Sequence, residues 1–225
     1  MSITPITTVE QVSLRARVEQ ALSAAIITGE LSPGTLLTVP TLAAEFRVSA
    51  TPVREAMLDL EGRGFVEPVR NKGFRVTEVS DEALRDIVEV RQLLEPPAMA
   101  ELATRFPSEE LPALEVLAQR ITDGAETGDL RAYLDADLEF HLTLTGMLGN
   151  RLLVDLVRDL RSRTRLMGLS SMLETKALGD SAAEHRELLA HLAAGRAGDA
   201  QALMRRHIHH TLGWWSGRAE GERDE

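Results

Sequence analysis

Asp137 and His141 stand four residues apart in the run Asp137-Leu138-Glu139-Phe140-His141. On a helix that spacing sends both side chains from one face about one turn apart, where a carboxylate and an imidazole can share a cation. The same spacing also describes an ordinary surface pair, worth roughly a few tenths of a kcal/mol. His185 heads an otherwise apolar stripe with Leu188, Leu189 and Leu192, and a histidine aimed at a core needs either a hydrogen-bond partner or an ion. His207 lies near Leu203, Met204 and Thr211 on the last long helical pattern, with His209 and His210 beside it. The chain has no cysteine, so a metal could be held only by His, Asp or Glu; disulfides are excluded, which fits a reducing cytoplasm.

A second constellation runs from Thr38 to Val76. Thr38 can cap a short helix with Leu42, Ala43 and Phe46 on one face, and Pro40 is harmless in a first turn whose N–H groups have no partner. Ser49 is a second N-cap, Pro52 again falls in a first turn, and Val53, Ala56, Met57 and Leu60 recur at helical spacing. Thr51, Arg54, Glu55 and Leu58 then face away from that stripe, and a helix entering a major groove presents early-turn residues such as Thr51 and Arg54. Gly64 reads as a left-handed stop. Phe65–Val69 and Phe74–Thr77 read as two strands joined by Arg70-Asn71-Lys72-Gly73, a basic hairpin tip able to rest on phosphates or enter a minor groove.

Both constellations need helices to position them. Val12, Leu14, Val18, Leu22, Ala25 and Ile26 form a first helix that stops near Gly29, after a loose arm over residues 1–11. Ser80 with Asp81-Glu82 caps the next helix and marks a domain boundary, giving 1–79 and 80–225. Beyond it the patterns are helical: Ala83–Arg105, kinked or broken at Pro96-Pro97; a helix capped by Ser108 and reaching Glu126; Leu130–Leu148; Asn150 to about Leu173; Ser181–Ala194; and Ala197 to about Gly217. A charged tail follows from Arg218. The fold class is mainly α: an N-terminal winged helix-turn-helix with a short β-hairpin wing, then an all-helical antiparallel bundle. Arg161, Arg163 and Arg165 read as a solvated basic run.

A chain of 225 residues suits two domains with real cores. Its net charge of -10 divides unevenly, with 8 basic against 9 acidic residues in 1–79, a net of -1, and -9 in the remainder. Phe46–Arg75 holds six basic and four acidic residues, so any phosphate attraction comes from a small +2 patch that dimerisation would double. The start lacks the pattern of a signal peptide and no run of 18 apolar residues occurs, so a soluble cytoplasmic protein without membrane contact is expected.

Leu31-Ser32-Pro33-Gly34, Val48-Ser49-Ala50-Thr51-Pro52-Val53-Arg54-Glu55-Ala56 and Asn71-Lys72-Gly73, over roughly sixty residues with consistent spacing, resemble the winged-helix domain of GntR-family transcription regulators. The resemblance implies binding of double-stranded operator DNA as a homodimer, with Ser49, Thr51 and Arg54 contacting DNA and Gly73 at the wing tip; Arg47 and Lys72 join them as nearby basic residues. Ala50 stands where the family usually has Arg, and Pro40 where some members do. The second half resembles the FCD effector domain of the FadR-like branch, through Asp137–His141, Glu184-His185-Arg186-Glu187-Leu188-Leu189 and Met204-Arg205-Arg206-His207.

That second resemblance implies a divalent metal held by Asp137, His141, His185 and His207. Three imidazoles and a carboxylate suit zinc or nickel, and also cobalt, manganese or iron. It also implies that Arg91 faces the metal, a planar fork suited to a small carboxylate effector; the alternative for Arg91 is a surface bridge to Glu95 at i+4. The expected function is a metabolite-responsive transcriptional regulator, a repressor, and not an enzyme. A regulator whose metal is structural or is itself the signal is the alternative, with a metalloenzyme behind it.

Overall fold

A computed structural model of the chain describes residues 13–164 and 176–213. The expectations for the N-terminal arm, Val12, Arg165, the stretch to Leu173, and residues from 214 onward lie outside the described residues.

Ser13 caps α1 (Leu14–Ile27) by accepting from the Ala16 N–H, and the helix lays Val18, Leu22 and Ile26 into the core beside α3. Strand β1 (Leu36–Leu37) precedes α2 (Val39–Phe46), where Thr38 accepts from the Thr41 N–H and Pro40 occupies the first turn as expected. Arg47 ends α2 in the left-handed region at φ 54°. In α3 (Ala50–Gly62) Val53, Ala56, Met57 and Leu60 are fully buried, while Thr51, Arg54, Glu55 and Leu58 are exposed. Ser49 departs from expectation: it holds the N-cap position, yet its side chain makes no capping hydrogen bond.

The wing is larger than the two-stranded hairpin expected. Strands β2 (Val66–Val69) and β3 (Gly73–Val76) pair antiparallel, with Asn71 at φ 59° in the turn, and β1 adds to the far edge of β3 in the order β1-β3-β2. A two-residue strand has no alternation to show in sequence. Gly73 is fixed by this closure, because a Cβ there would lie 2.3 Å from the Leu37 carbonyl oxygen and its φ is 125°.

In the second half Ser80 caps α4 (Asp81–Ala103) by accepting from the Ala83 N–H, with Asp81 and Glu82 against the positive helix end. The helix runs through Pro96 and Pro97 unbroken, so of the kink or break expected there the break does not occur. The prolines remove the donors for the Gln92 and Leu93 carbonyls, a cost offset by the extensive packing of α4 along α9. Ser108 is also not a helix cap: it opens a 3-10 turn, Ser108–Glu110, before α5 (Leu111–Thr127). Asp129 caps α6 (Leu130–Gly146) through the Ala132 N–H, and Asn150 caps α7 (Arg151–Thr164) through the Leu153 N–H. Helix α8 (Ala177–Ala193) starts four residues before the expected Ser181, and α9 (Ala197–Gly213) closes the bundle.

Helix α6 packs against α4, α5 and α7, burying Tyr133, Leu134, Phe140 and Leu144, while α8 packs against α4, α5 and α9. The winged part docks on this bundle through charge. Buried Glu19 of α1 accepts from Arg63 and, at 2.5 Å, from Arg131 of α6; Arg63 also reaches Asp135 of α6. Gly64, at φ 79°, lets the chain pass so close to α7 that a Cβ would sit 3.1 Å from the Ser162 Cβ. Among the described residues no helix is long and apolar enough to cross a membrane.

Candidate functional site

Four polar side chains meet in the middle of the bundle. Asp137 and His141 come from successive turns of α6, His185 from α8 and His207 from α9, all buried, with one ligand-type atom of each within 4.8 Å of the others. His185 Nε2 is 3.1 Å from Asp137 Oδ1 and 3.2 Å from His141 Nε2, and His141 Nε2 is 3.5 Å from the same oxygen. An ion bonded tetrahedrally at about 2.0–2.1 Å holds its ligand atoms about 3.3 Å apart, close to these separations.

The ring tautomers point the same way. His185 Nδ1 lies 3.0 Å from the Ser181 carbonyl oxygen and 3.2 Å from that of Ala182, both acceptors only, so Nδ1 carries the proton and Nε2 offers its lone pair to the cluster. His207 Nδ1 is 2.8 Å from Glu184 Oε2, which fixes the same tautomer. Burial, and next Arg161, hold His141 well below the ordinary imidazole value; burial pushes His207 down to about 4 against the opposing effect of Glu184. Both imidazoles are therefore neutral near pH 7, the form that binds a metal. Burial would raise the Asp137 carboxyl, but the neighbouring His141 ring and the Arg161 guanidinium hold it well below the usual carboxylate range. Edges of the Phe140 ring contact, at 5.3 and 5.0 Å between centroids, wall off His141 and His185.

Beside this cluster runs a buried chain of alternating charge. Arg91 Nε donates to Glu95 Oε1 at 2.7 Å, Arg161 Nε and Nη2 donate to Glu95 Oε2 at 2.9 and 2.6 Å, and Arg161 Nη1 donates to Asp137 Oδ2 at 3.2 Å. Burial would raise Glu95, but Arg161 and then Arg91 bring it down to about 2. The alternative for Arg91, a bridge to Glu95, is present, though it is buried rather than on the surface. The expectation for Arg161 is overturned: it is 3% exposed and holds the second oxygen of Asp137. Arg163 does sit exposed, paired with Asp159. The signal for Arg161 was its place at i+4 from buried Val157 and i−3 from buried Thr164, on the inward stripe of α7.

On the winged part, Ser49, Thr51 and Arg54 line the exposed start of α3, Arg47 is exposed in the turn before it, and Lys72 is exposed beside Gly73 at the wing tip. Among the histidines of α9, His209 is exposed whereas His207 and His210 are buried.

A winged helix-turn-helix joined to an all-helical bundle defines a class of transcription regulators. Residues 14–76 match the profile of bacterial regulatory proteins of the gntR family and residues 86–210 match the FCD domain. The chain is 30% identical to the Nta operon transcriptional regulator of Aminobacter aminovorans over 178 residues, 78% of this chain and 82% of that protein. It is 28% identical to the HTH-type transcriptional regulator LutR of Bacillus subtilis, over 80% of this chain and 91% of that protein. The solved structure of Escherichia coli McbR/YncC superposes with a TM-score of 0.66 at 26% identity, covering 90% of this chain and 96% of that one. The chain belongs to the GntR family and carries an FCD domain. It is a sequence-specific DNA-binding transcriptional regulator of the GntR/FCD type.

Proposed function

We propose that the helical domain, residues 80–225, holds one divalent metal through Asp137, His141, His185 and His207, binds a small organic acid beside it, and so controls operator binding by the winged domain, residues 1–79. The observation that carries this reading is the convergence of two tautomer-fixed imidazoles, a third imidazole and an ionised carboxylate in one buried site. A hydrogen-bonded core histidine needs one partner; three rings with centroids 4.9–5.1 Å apart beside one carboxylate suit a cation. Zinc or nickel fits the donor set best.

Charge supplies the case for an acid. Arg91, Glu95, Arg161 and Asp137 sum to zero, so a divalent ion bound to neutral histidines leaves about two positive charges in a dry interior, where electrostatics is strong. The ion supplies that charge and open coordination positions, and Arg91 supplies a fork for the carboxylate. A thermal-shift screen of small mono- and dicarboxylates on metal-loaded protein should give hits that weaken with Arg91→Ala and vanish on chelation. A hit undiminished in both controls would rule the site out. The pairing of Arg91 with Glu95 favours one second reading, that the metal itself is the signal, because an acid must compete with Glu95 for that guanidinium. Absence of any hit would support it.

On the DNA side, the reading assigns base and phosphate contacts to Ser49, Thr51 and Arg54, with Arg47, Lys72 and Gly73 supporting. Selection of duplexes by the wild-type chain, followed by gel-shift titration, should show that Arg54→Ala loses operator preference, with about 1–3 kcal/mol less discrimination. Unchanged specificity would remove Arg54 from the reading helix. A +2 patch, with Ala50 and Pro40 in place of arginines common in the family, offers limited affinity to one subunit, so the regulator, a repressor in this reading, acts as a homodimer. Light scattering at micromolar concentration should give twice 24.7 kDa; the monomer mass throughout would contradict this.

A further inference from the structure

Glu184 takes no part in the four-ligand set, yet it is only 8% exposed and three side chains converge on it. His207 Nδ1 donates to Oε2 at 2.8 Å, Arg206 Nε donates to Oε1 at 2.9 Å, and His210 Nδ1 lies 3.4 Å from Oε2. It precedes His185 on α8, so the two neighbours diverge by about 100° around the helix. One can thus meet α9 while the other enters the cluster.

The geometry points to Glu184 as the positioning residue of the metal centre: its carboxylate holds the Nδ1–H tautomer and ring orientation of His207 and keeps Nε2 turned to Asp137, His141 and His185. This inference rests on the metal reading above. A ring on α9 without that anchor can rotate, or can carry its proton on Nε2, and in either case it offers the site no lone pair. The anchor also makes His207 a more basic ligand. His185 reaches the same tautomer through backbone carbonyls of its own helix, so α8 contributes one ligand directly and aims another across to α9. Arg206 pairs with the other oxygen of the carboxylate, half exposed and turned away from the His207 bond.

The experiment has two readouts. Chelator-competition titrations with zinc should show about ten- to a hundredfold weaker binding for Glu184→Gln than for wild type, and about wild-type affinity for Arg206→Gln, which leaves the Glu184–His207 bond intact. Nitrogen-15 NMR of the ring in metal-free wild-type protein should place the His207 proton on Nδ1, and in Glu184→Gln should show that preference lost. The wild-type spectrum needs no variant to fold, and a proton on Nε2 there overturns the inference. Undiminished zinc affinity in Glu184→Gln, with binding lost in His207→Ala, overturns it as well while leaving the metal reading intact. Wild-type protein that takes up no zinc, nickel, cobalt or manganese overturns the metal reading, and is told apart because the fault then lies in the wild type.

Discussion

Purified protein kept from chelators should carry up to about one divalent ion per chain, and His141→Ala should lose it while His209→Ala keeps it. His141 Nε2 lies within 3.5 Å of both Asp137 Oδ1 and His185 Nε2, so its loss removes a donor from the middle of the set. His209 is exposed and outside it. The thermal consequence is large: with free ion at a thousand times its dissociation constant, binding adds about 4 kcal/mol to stability. Chelation should therefore lower the melting temperature of wild type and His209→Ala by several degrees and leave His141→Ala unmoved. Metal analysis after dialysis, paired with melts, decides the matter; equal retention in both variants would refute the ligand assignment.

Arg161→Met should cost about 3–5 kcal/mol near pH 7, because it leaves Glu95 and Asp137 buried with a lost partner. The pH dependence has a definite sign. Glu95 is lowered from an ordinary value of 4.5 to about 2, so its contribution is complete above about 4.5 and disappears as pH falls through about 2. Wild type should thus approach the variant as pH drops across that window, and the gap in urea midpoints should narrow. A cost below about 1 kcal/mol for Arg161→Met at pH 7 would mean that the guanidinium reaches water and that the chain of charge is not buried in solution.

Local signals made much of this structure readable. Thr38 and Ser80 act as caps through their own side chains, and a helix starts just after Asn150, because capping is decided within a few residues. The Val53, Ala56, Met57 and Leu60 stripe is buried as its spacing requires. Ser49 and Ser108 show the limit: both look like caps, and whether the hydroxyl is used depends on backbone detail that residue type does not carry. Strand β1 exists only because β3 offers an edge to it, and α4 survives two prolines because α9 lies along it. Those are tertiary effects. The four metal-type donors were individually ambiguous and became a group through a family resemblance, which the geometry then brought into one cluster. Arg161 was misread because a run of alternating arginines suggested solvent, when helical periodicity puts Arg161 and Arg163 on different faces.

Gly64 and the helices beneath it set a mechanical limit on this regulator. The winged part rests on Ser162, one residue from Arg161, and on Arg131 and Asp135, the latter two residues from Asp137. The seat of the reading head and the wall of the buried site are thus the same two rods seen from opposite sides. A roll of α7 or a tilt of α6 too small to disturb the core would re-aim α3, and with no Cβ at Gly64 there is little padding between them to absorb it. Two such heads on one operator would convert that small angle into a change of span between half-sites, the dimension to which a rigid duplex is least forgiving.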